Sequence, residues 1–423
     1  MSQQPRRLSP LTPLVRGAIF VVAVAVTTWE ELLAGNLGPF GLVLLAVLGA
    51  GFAYGYASWL RTRYWVEGDE LRVDTGVVYH QSRRIRVDRL QGIDVVQPFV
   101  ARLFGLAELK MDVAGGDREG SLAFLPLADA HELRDVLLAR RDAAHPWSPP
   151  GPGGSPLEQV IARLDLGTLL LSMLLSWETV FLLLGGVVVS LALLVEGTLV
   201  VAPGLPVLGG FVLLQLRKLS AYYGFVVAQT DAGLQVRRGL LERSTQTIAL
   251  ARVQGVVVSE PVLWRPRGWA RLDVSIAGYG SGAEPEGGPS ATTVMPVAPR
   301  PLVEALARHL LRGADDQLAL SPPARAARWL DPVAARAMAA GTGRDLVGCR
   351  EGWLTRRTHL VPHARVQSVR LTQGPLQRRL GLADVHVDSP PGPVHVRARG
   401  RAAAEARDLL ERESALAREA RRR

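Results

Sequence analysis

The chain alternates between long apolar runs and stretches where apolar residues recur with short periods. Four runs dominate: residues 14–29, 37–60, 166–195 and 198–216. A helix needs ~20 mostly apolar residues to cross a ~30 Å hydrocarbon core. Residues 37–60 supply that length without a charge. Residues 14–29 are shorter and carry Arg16, whose side chain can snorkel to the membrane edge. A signal peptide is the rival reading of that run, but no small-x-small cleavage site follows it. Residues 166–195 exceed one untilted span. Their first part reads as interfacial and residues 177–195 as the span, with Glu178 at headgroup level. The fourth run holds Pro203 and Pro206, which predict a kink or break. The pattern predicts four spans in two hairpins.

Charge orients these hairpins. The loops after the first and third spans carry Glu30, Glu31 and Glu196 and no basic residue. The other Arg/Lys side chains fall at the N-terminus (Arg6, Arg7, Arg16), in residues 61–165 (14 of them) and in residues 217–423 (32 of them). Basic segments stay in the cytoplasm. The expectation is therefore a multi-pass protein of a bacterial inner membrane, with both termini and the soluble mass cytoplasmic. The net charge of +10 reads as a topology signal rather than a nucleic-acid signal.

The soluble part repeats itself. Residues 76–113, 239–276 and 352–389 align without gaps at offsets of 163 and 113. Six columns are identical in all three copies: Gly76/Gly239/Gly352, Arg89/Arg252/Arg365, Gln91/Gln254/Gln367, Arg102/Arg265/Arg378, Gly105/Gly268/Gly381 and Ala107/Ala270/Ala383. A shared period of this kind marks a repeated fold unit. Alternation at Ile85 and Val87, then Ile93 and Val95, predicts strands. Residues 99–104 suit one helical turn ended by Gly105. Helices are expected over 128–141, 301–312 and 401–422.

A strand and glycine turn, a basic strand, R-[LV]-Q and R-x-x-G-[LW]-A resemble the bacterial pleckstrin-homology (PH) domains of the YdbT-like membrane proteins. That resemblance implies three PH-like β-barrels, each closed by a C-terminal helix, joined to membrane hairpins. It implies no defined catalytic activity. The family's third hairpin is missing here, because residues 324–347 carry too many Arg and Asp residues to span. The opening strands of copy three look eroded, so that copy is expected to be incomplete. The resulting fold class is an α+β membrane protein with two transmembrane helical hairpins and three PH-like domains. The boundaries are 1–62 (tail and first hairpin), 63–145 (first domain), 146–165 (linker), 166–218 (second hairpin), 219–313 (second domain), 314–344 (linker) and 345–423 (third domain and basic tail).

Candidate chemistry is sparse. Cys349 is the one cysteine, which excludes a disulfide scaffold and a cysteine zinc site. His359 and His363 stand four apart, but Pro362 and the strand pattern oppose a helical metal face. No catalytic residue, metal site or cofactor is expected. The repeated Arg89, Gln91, Arg102, Arg252, Gln254, Arg265, Arg365, Gln367 and Arg378 are the candidate binding or fold residues. Arginine binds phosphate or carboxylate bidentately, so these columns suit lipid headgroups or a partner. The opposing reading has them tie strands to neighbouring loops. The expected function is non-enzymatic binding or assembly at the membrane. Its partners would be membrane lipids and a second copy of the chain or a small PH-domain membrane protein, with no nucleic acid. A transporter or channel component built on the four spans is the alternative.

Overall fold

A computed structural model of the protein describes residues 6–10, 12, 38–76, 80–113, 120–144, 159–196, 204–230, 233–277, 292–312, 314 and 318–422. It divides into two units: residues 1–155 with 241–246, and residues 156–240 with 247–423.

In the first unit, β1 (Arg6–Arg7), β2 (Arg63–Glu67), β3 (Glu70–Thr75) and β4 (Gln81–Arg86) form one antiparallel sheet in that order. A second runs through β5 (Leu90–Gln97), β6 (Leu106–Val113) and β7 (Gly120–Pro126). Period-two alternation turns Tyr64 and Val66, then Leu71 and Val73, into the core, as a half-buried strand requires. Leu90, Leu109 and Leu125 from the second sheet meet them, and Leu137 of helix Leu127–Ala144 closes the cluster. Each such buried leucine contributes ~1.5–3 kcal/mol. Residues 243–245, which belong to this unit, pair antiparallel with residues 95–97 of β5.

In the second unit, the strands of copy two are β8 (Gln159–Arg163), β9 (Val226–Thr230), β10 (Gly233–Arg238), β12 (Val253–Pro261), β13 (Trp269–Ile276) and β14 (Thr293–Pro299), while β11 (Arg243–Ile248) begins in the first unit and ends in the second. Helix Arg300–Leu310 lays Val303, Leu306 and Leu310 into their core. Copy three has β15 (Ala339–Thr342), β16 (Leu346–Glu351), β17 (Thr355–Pro362), β18 (Ser368–Thr372), β19 (Leu382–Asp388) and β20 (Val396–Ala402), then helix Ala403–Ala420. Its opening strands, expected to be eroded, are present as β15 and β16. They escaped the sequence reading because short, Gly-containing strands (AAGT, LVGCRE) carry little alternation. β12 and β17 pair directly. Val256 and Val258 face the core of copy two, while Val257 between them faces that of copy three.

Copies one and two each own a first strand that lies before their apolar insertion. β1 pairs with β2 although helix Pro39–Arg61 falls between them in sequence. β8 pairs with β9 across the helices Leu166–Leu174, Trp177–Glu196 and Gly204–Tyr222. In copy three this strand shrinks to a bridge between Ser321 and Ala340. The apolar segments of copies one and two thus interrupt the domains rather than precede them.

The expected pair of transmembrane hairpins is not what the described residues form. One helix is long and apolar enough to cross a membrane, over residues 41–61. Leu166–Leu174 and Trp177–Val187 pass that test only together, bent by 49°. Residues 14–29, read as the first span, lie outside the described residues. Helix Gly204–Tyr222, read as the fourth span, does not qualify. It carries Gln215, Arg217 and Lys218, and its last turn belongs to the domain, where Tyr222 is buried beside Phe225. Gln215 donates to the Thr179 hydroxyl at 3.0 Å and Lys218 to Glu178 at 2.8 Å. These polar partners make that end of the helix an anchor rather than a lipid-facing surface.

Candidate functional site

The invariant glycine and alanine columns answer to backbone geometry. Gly76, Gly239 and Gly352 have φ of 121°, 106° and 83°, and Gly105, Gly268 and Gly381 have φ of 66°, 63° and 65°. L-residues with a Cβ rarely adopt this region. A Cβ on Gly352 would also strike the Thr355 carbonyl. Ala107, Ala270 and Ala383 are at most 1% exposed, so a larger side chain has no room.

The arginine and glutamine columns sit at two recurring places. The first is the 3-10 turn that links the two sheets of a copy: residues Val87–Arg89, Leu250–Arg252 and His363–Arg365. Arg365 donates to the Ala251 carbonyl at 2.6 Å, reaching from copy three to the same turn of copy two. Burial, then repulsion from Arg312, pushes this guanidinium below its usual pKa. Buried Gln254 donates to the Arg252 carbonyl at 3.1 Å and so braces its own turn. Gln367 is exposed, and its backbone N–H bonds the Asp388 carbonyl at 2.8 Å. The side chains of Arg89 and Gln91 lie outside the described set.

The second place is the short helix after β5, β12 and β18. Arg265 donates to the Glu260 carbonyl at 3.3 Å and to the Trp353 carbonyl at 2.8 Å, another tie between copies two and three. Burial, then Arg356, lowers its pKa, and Glu260 opposes them. Arg102 stacks over the Phe99 ring at 5.6 Å. Arg378 is exposed. The residues around these arginines were not singled out from sequence, and they are apolar. Phe99, Leu103 and Phe104 are 44%, 67% and 47% exposed, and Leu376 of helix Pro375–Arg379 is 61% exposed. In copy two Trp264, just before the short helix Arg265–Arg267, donates to the Ser172 carbonyl of helix Leu166–Leu174 at 3.2 Å. The signal available in sequence was FVARLF itself, where large apolar residues flank an arginine with no opposing core face.

The remaining candidates are structural. His363 and Glu413 are both buried and bond at 2.7 Å. The Cys349 thiol accepts from the Arg397 N–H at 3.3 Å, and burial pushes its pKa up to about 12. No cluster of three metal-binding side chains occurs among the described residues.

The sequence profile described as Bacterial PH domain matches residues 18–141, 166–314 and 326–417. The UPF0699 transmembrane protein YdbT of Bacillus subtilis is 27% identical over 105 residues, which cover 24% of this chain and 21% of that relative. The chain therefore aligns with about a fifth of the relative's length. No solved structure matches. With three consecutive matches that take in most of its length, the chain belongs to the bacterial PH domain family.

Proposed function

We propose that this protein is a non-enzymatic, membrane-associated binding and assembly module whose short inter-strand helices rest on the anionic cytoplasmic face of the bilayer. The observation that carries this reading is the recurring short helix of each copy. In copy two Trp264 at its start bonds helix Leu166–Leu174, whose Leu166, Leu170 and Leu174 remain exposed. In copy one it presents exposed Phe99, Leu103 and Phe104 around Arg102, and in copy three exposed Leu376 and Leu380 around Arg378. Apolar side chains enter the interface while neighbouring arginines pair with lipid phosphate, each worth ~1 kcal/mol near an anionic surface. Helix Pro39–Arg61, apolar and exposed along most of its length, supplies the anchor. Trp59 at its end ties it to the first domain by donating to the Leu8 carbonyl at 2.9 Å. The basic character of the soluble segments supports a cytoplasmic location for the domains under the same charge rule.

The test is an environment-sensitive dye on Leu103→Cys or Leu376→Cys in the full chain, reconstituted in vesicles containing phosphatidylglycerol. The dye should shift to the blue and be quenched by brominated acyl chains, while a dye on Arg407→Cys should do neither. A dye that stays in water at both positions would defeat the reading.

A further inference from the structure

Among the described residues β4 and β18 each end a sheet, and the internal repeat names what fits between these two edges. In the first unit, Val95, Val96 and Gln97 of β5 pair with Thr245, Ser244 and Arg243. In the second, Val258, Ser259 and Glu260 of β12 pair with Thr358, Arg357 and Arg356 of β17. Under the sequence offsets of 163 and 113, these are the same three pairs. The rule is that the fifth strand of one copy takes the fourth strand of the next, antiparallel and in one register. β18 is outermost in its sheet, with no strand on its far side among the described residues. β4 likewise ends its sheet among the described residues.

We propose that β18 of one chain adds to β4 of a second copy, extending the internal rule between molecules. The register follows from the offsets: Leu371 opposite Ser82, Thr372 opposite Gln81 and Gln373 opposite His80. These residues are accessible, with Thr372, His80, Gln81 and Ser82 exposed. The local scaffold of the edge is also repeated. Gln97 donates to the Leu106 carbonyl at 3.4 Å and Gln373 to that of Leu382 at 2.8 Å, in corresponding positions. The seam between copies two and three carries two arginine ties, Arg365 to Ala251 and Arg265 to Trp353. Arg378, which stands where Arg265 does, is exposed beside the open edge.

The pairing is short for a reason. One residue further along the same register, Arg370 would oppose Arg83, and like charges directly opposite are destabilising. Beyond that, Ser368 stands where Gly255 lets the Leu360 carbonyl approach, 2.8 Å from where a Cβ would sit. Contact over three residues matches the extent of the pairing between β5 and residues 243–245. So short a contact falls below the ~1,000 Å² of a stable free interface. It therefore rests on the membrane-bound reading above, which confines the copies and raises their effective concentration. The contact is heterologous: one edge meets a different edge, so it builds a row or ring rather than a symmetric dimer.

The test uses full-length chains in membranes, with native Cys349 retained because it is buried. Chains carrying Gln81→Cys and Thr372→Cys, each with its own tag, are co-expressed and oxidised. A disulfide between the two tags is expected, at least tenfold above either variant alone. The double variant should give a ladder of dimers and higher species. The pair Gln81→Cys with Arg370→Cys, two residues out of register on the same face, should give less than a tenth of that yield. Equal yields from both pairs, cross-linking of Gln81→Cys with itself, or no cross-link would overturn the proposal. The last result is also what Arg83, Arg84 and Arg86 would produce if they only guard the edge. A dye at Leu103 or Leu376 that still reports lipid in that case leaves the membrane reading standing and removes this inference alone.

Discussion

Arg401 is the most buried arginine described, at 2% exposure, and it holds copy three's reduced first strand in place. Its guanidinium donates to the carbonyls of Ser321, Ala340 and Pro322 at 2.7, 2.8 and 3.0 Å, to the Ser321 hydroxyl at 2.7 Å and to Glu405 at 2.8 Å. Arg401→Met would keep most of the volume and remove every one of these bonds. A hydrogen bond to a charged group is worth ~1.5–3 kcal/mol. That figure is discounted here, because Ser321 and Ala340 still exchange two backbone bonds of 3.0 Å. Glu405 is half exposed and regains water, so its loss adds little. Three weakened carbonyl contacts at ~1 kcal/mol each give about 3 kcal/mol. That lowers the opening free energy of the 318–342 segment and speeds its amide exchange about a hundredfold. Hydrogen-exchange mass spectrometry on the full chain in detergent would read this at residues 318–322 and 339–342, with residues 63–75 of the first unit as an unaffected reference. Arg401→Lys should fall between, since one ammonium lacks the planar fork that spans carbonyls on both sides. Exchange within threefold of the parent in Arg401→Met would refute the argument.

Two further predictions concern buried titratable groups. Burial alone would lower the His363 pKa, but the hydrogen bond and charge of Glu413 overcome it and raise it above the ordinary 6.5. The folded state thus holds this proton more tightly than the unfolded chain. The stabilisation is fully present below the unfolded value and is lost as pH rises through the raised one. Melting temperature should fall between pH 6 and pH 9 more steeply for the parent than for His363→Gln, and parallel slopes would contradict this. The Cys349 thiol, pushed up to about 12 by burial, should react with maleimide at neutral pH about a thousandfold more slowly than a surface cysteine at position 81. Equal labelling rates would show that the site opens.

The candidate site was half legible. The repeat exposed every arginine and glutamine column, because identity at fixed offsets needs no structure to detect. What those columns do could not be read, since the Ala251 and Trp353 carbonyls that receive Arg365 and Arg265 lie 114 and 88 residues away in sequence. The exposed Phe99, Leu103 and Leu376 escaped notice, because an apolar residue in a short helix looks the same whether it faces a core or solvent. The two hairpins were over-read for a related reason. Hydropathy registers the composition of residues 198–216, but whether that helix ends in a lipid-facing surface or in a domain core depends on what packs against Tyr222.

By itself the sequence determined the threefold repeat, the strand-rich copies with their closing helices, the glycines that need positive φ, and the absence of a disulfide framework. These follow from local periodicity, backbone sterics and composition. Only the tertiary structure decided that the first two domains begin before their apolar insertions, that copy three is built out with β15 and β16, and that the fifth strand of one copy takes the fourth strand of the next. Strand pairing joins residues far apart in the chain through main-chain N–H and C=O groups that every non-proline residue carries. The pairing between copies is therefore written in backbone geometry rather than in residue identity.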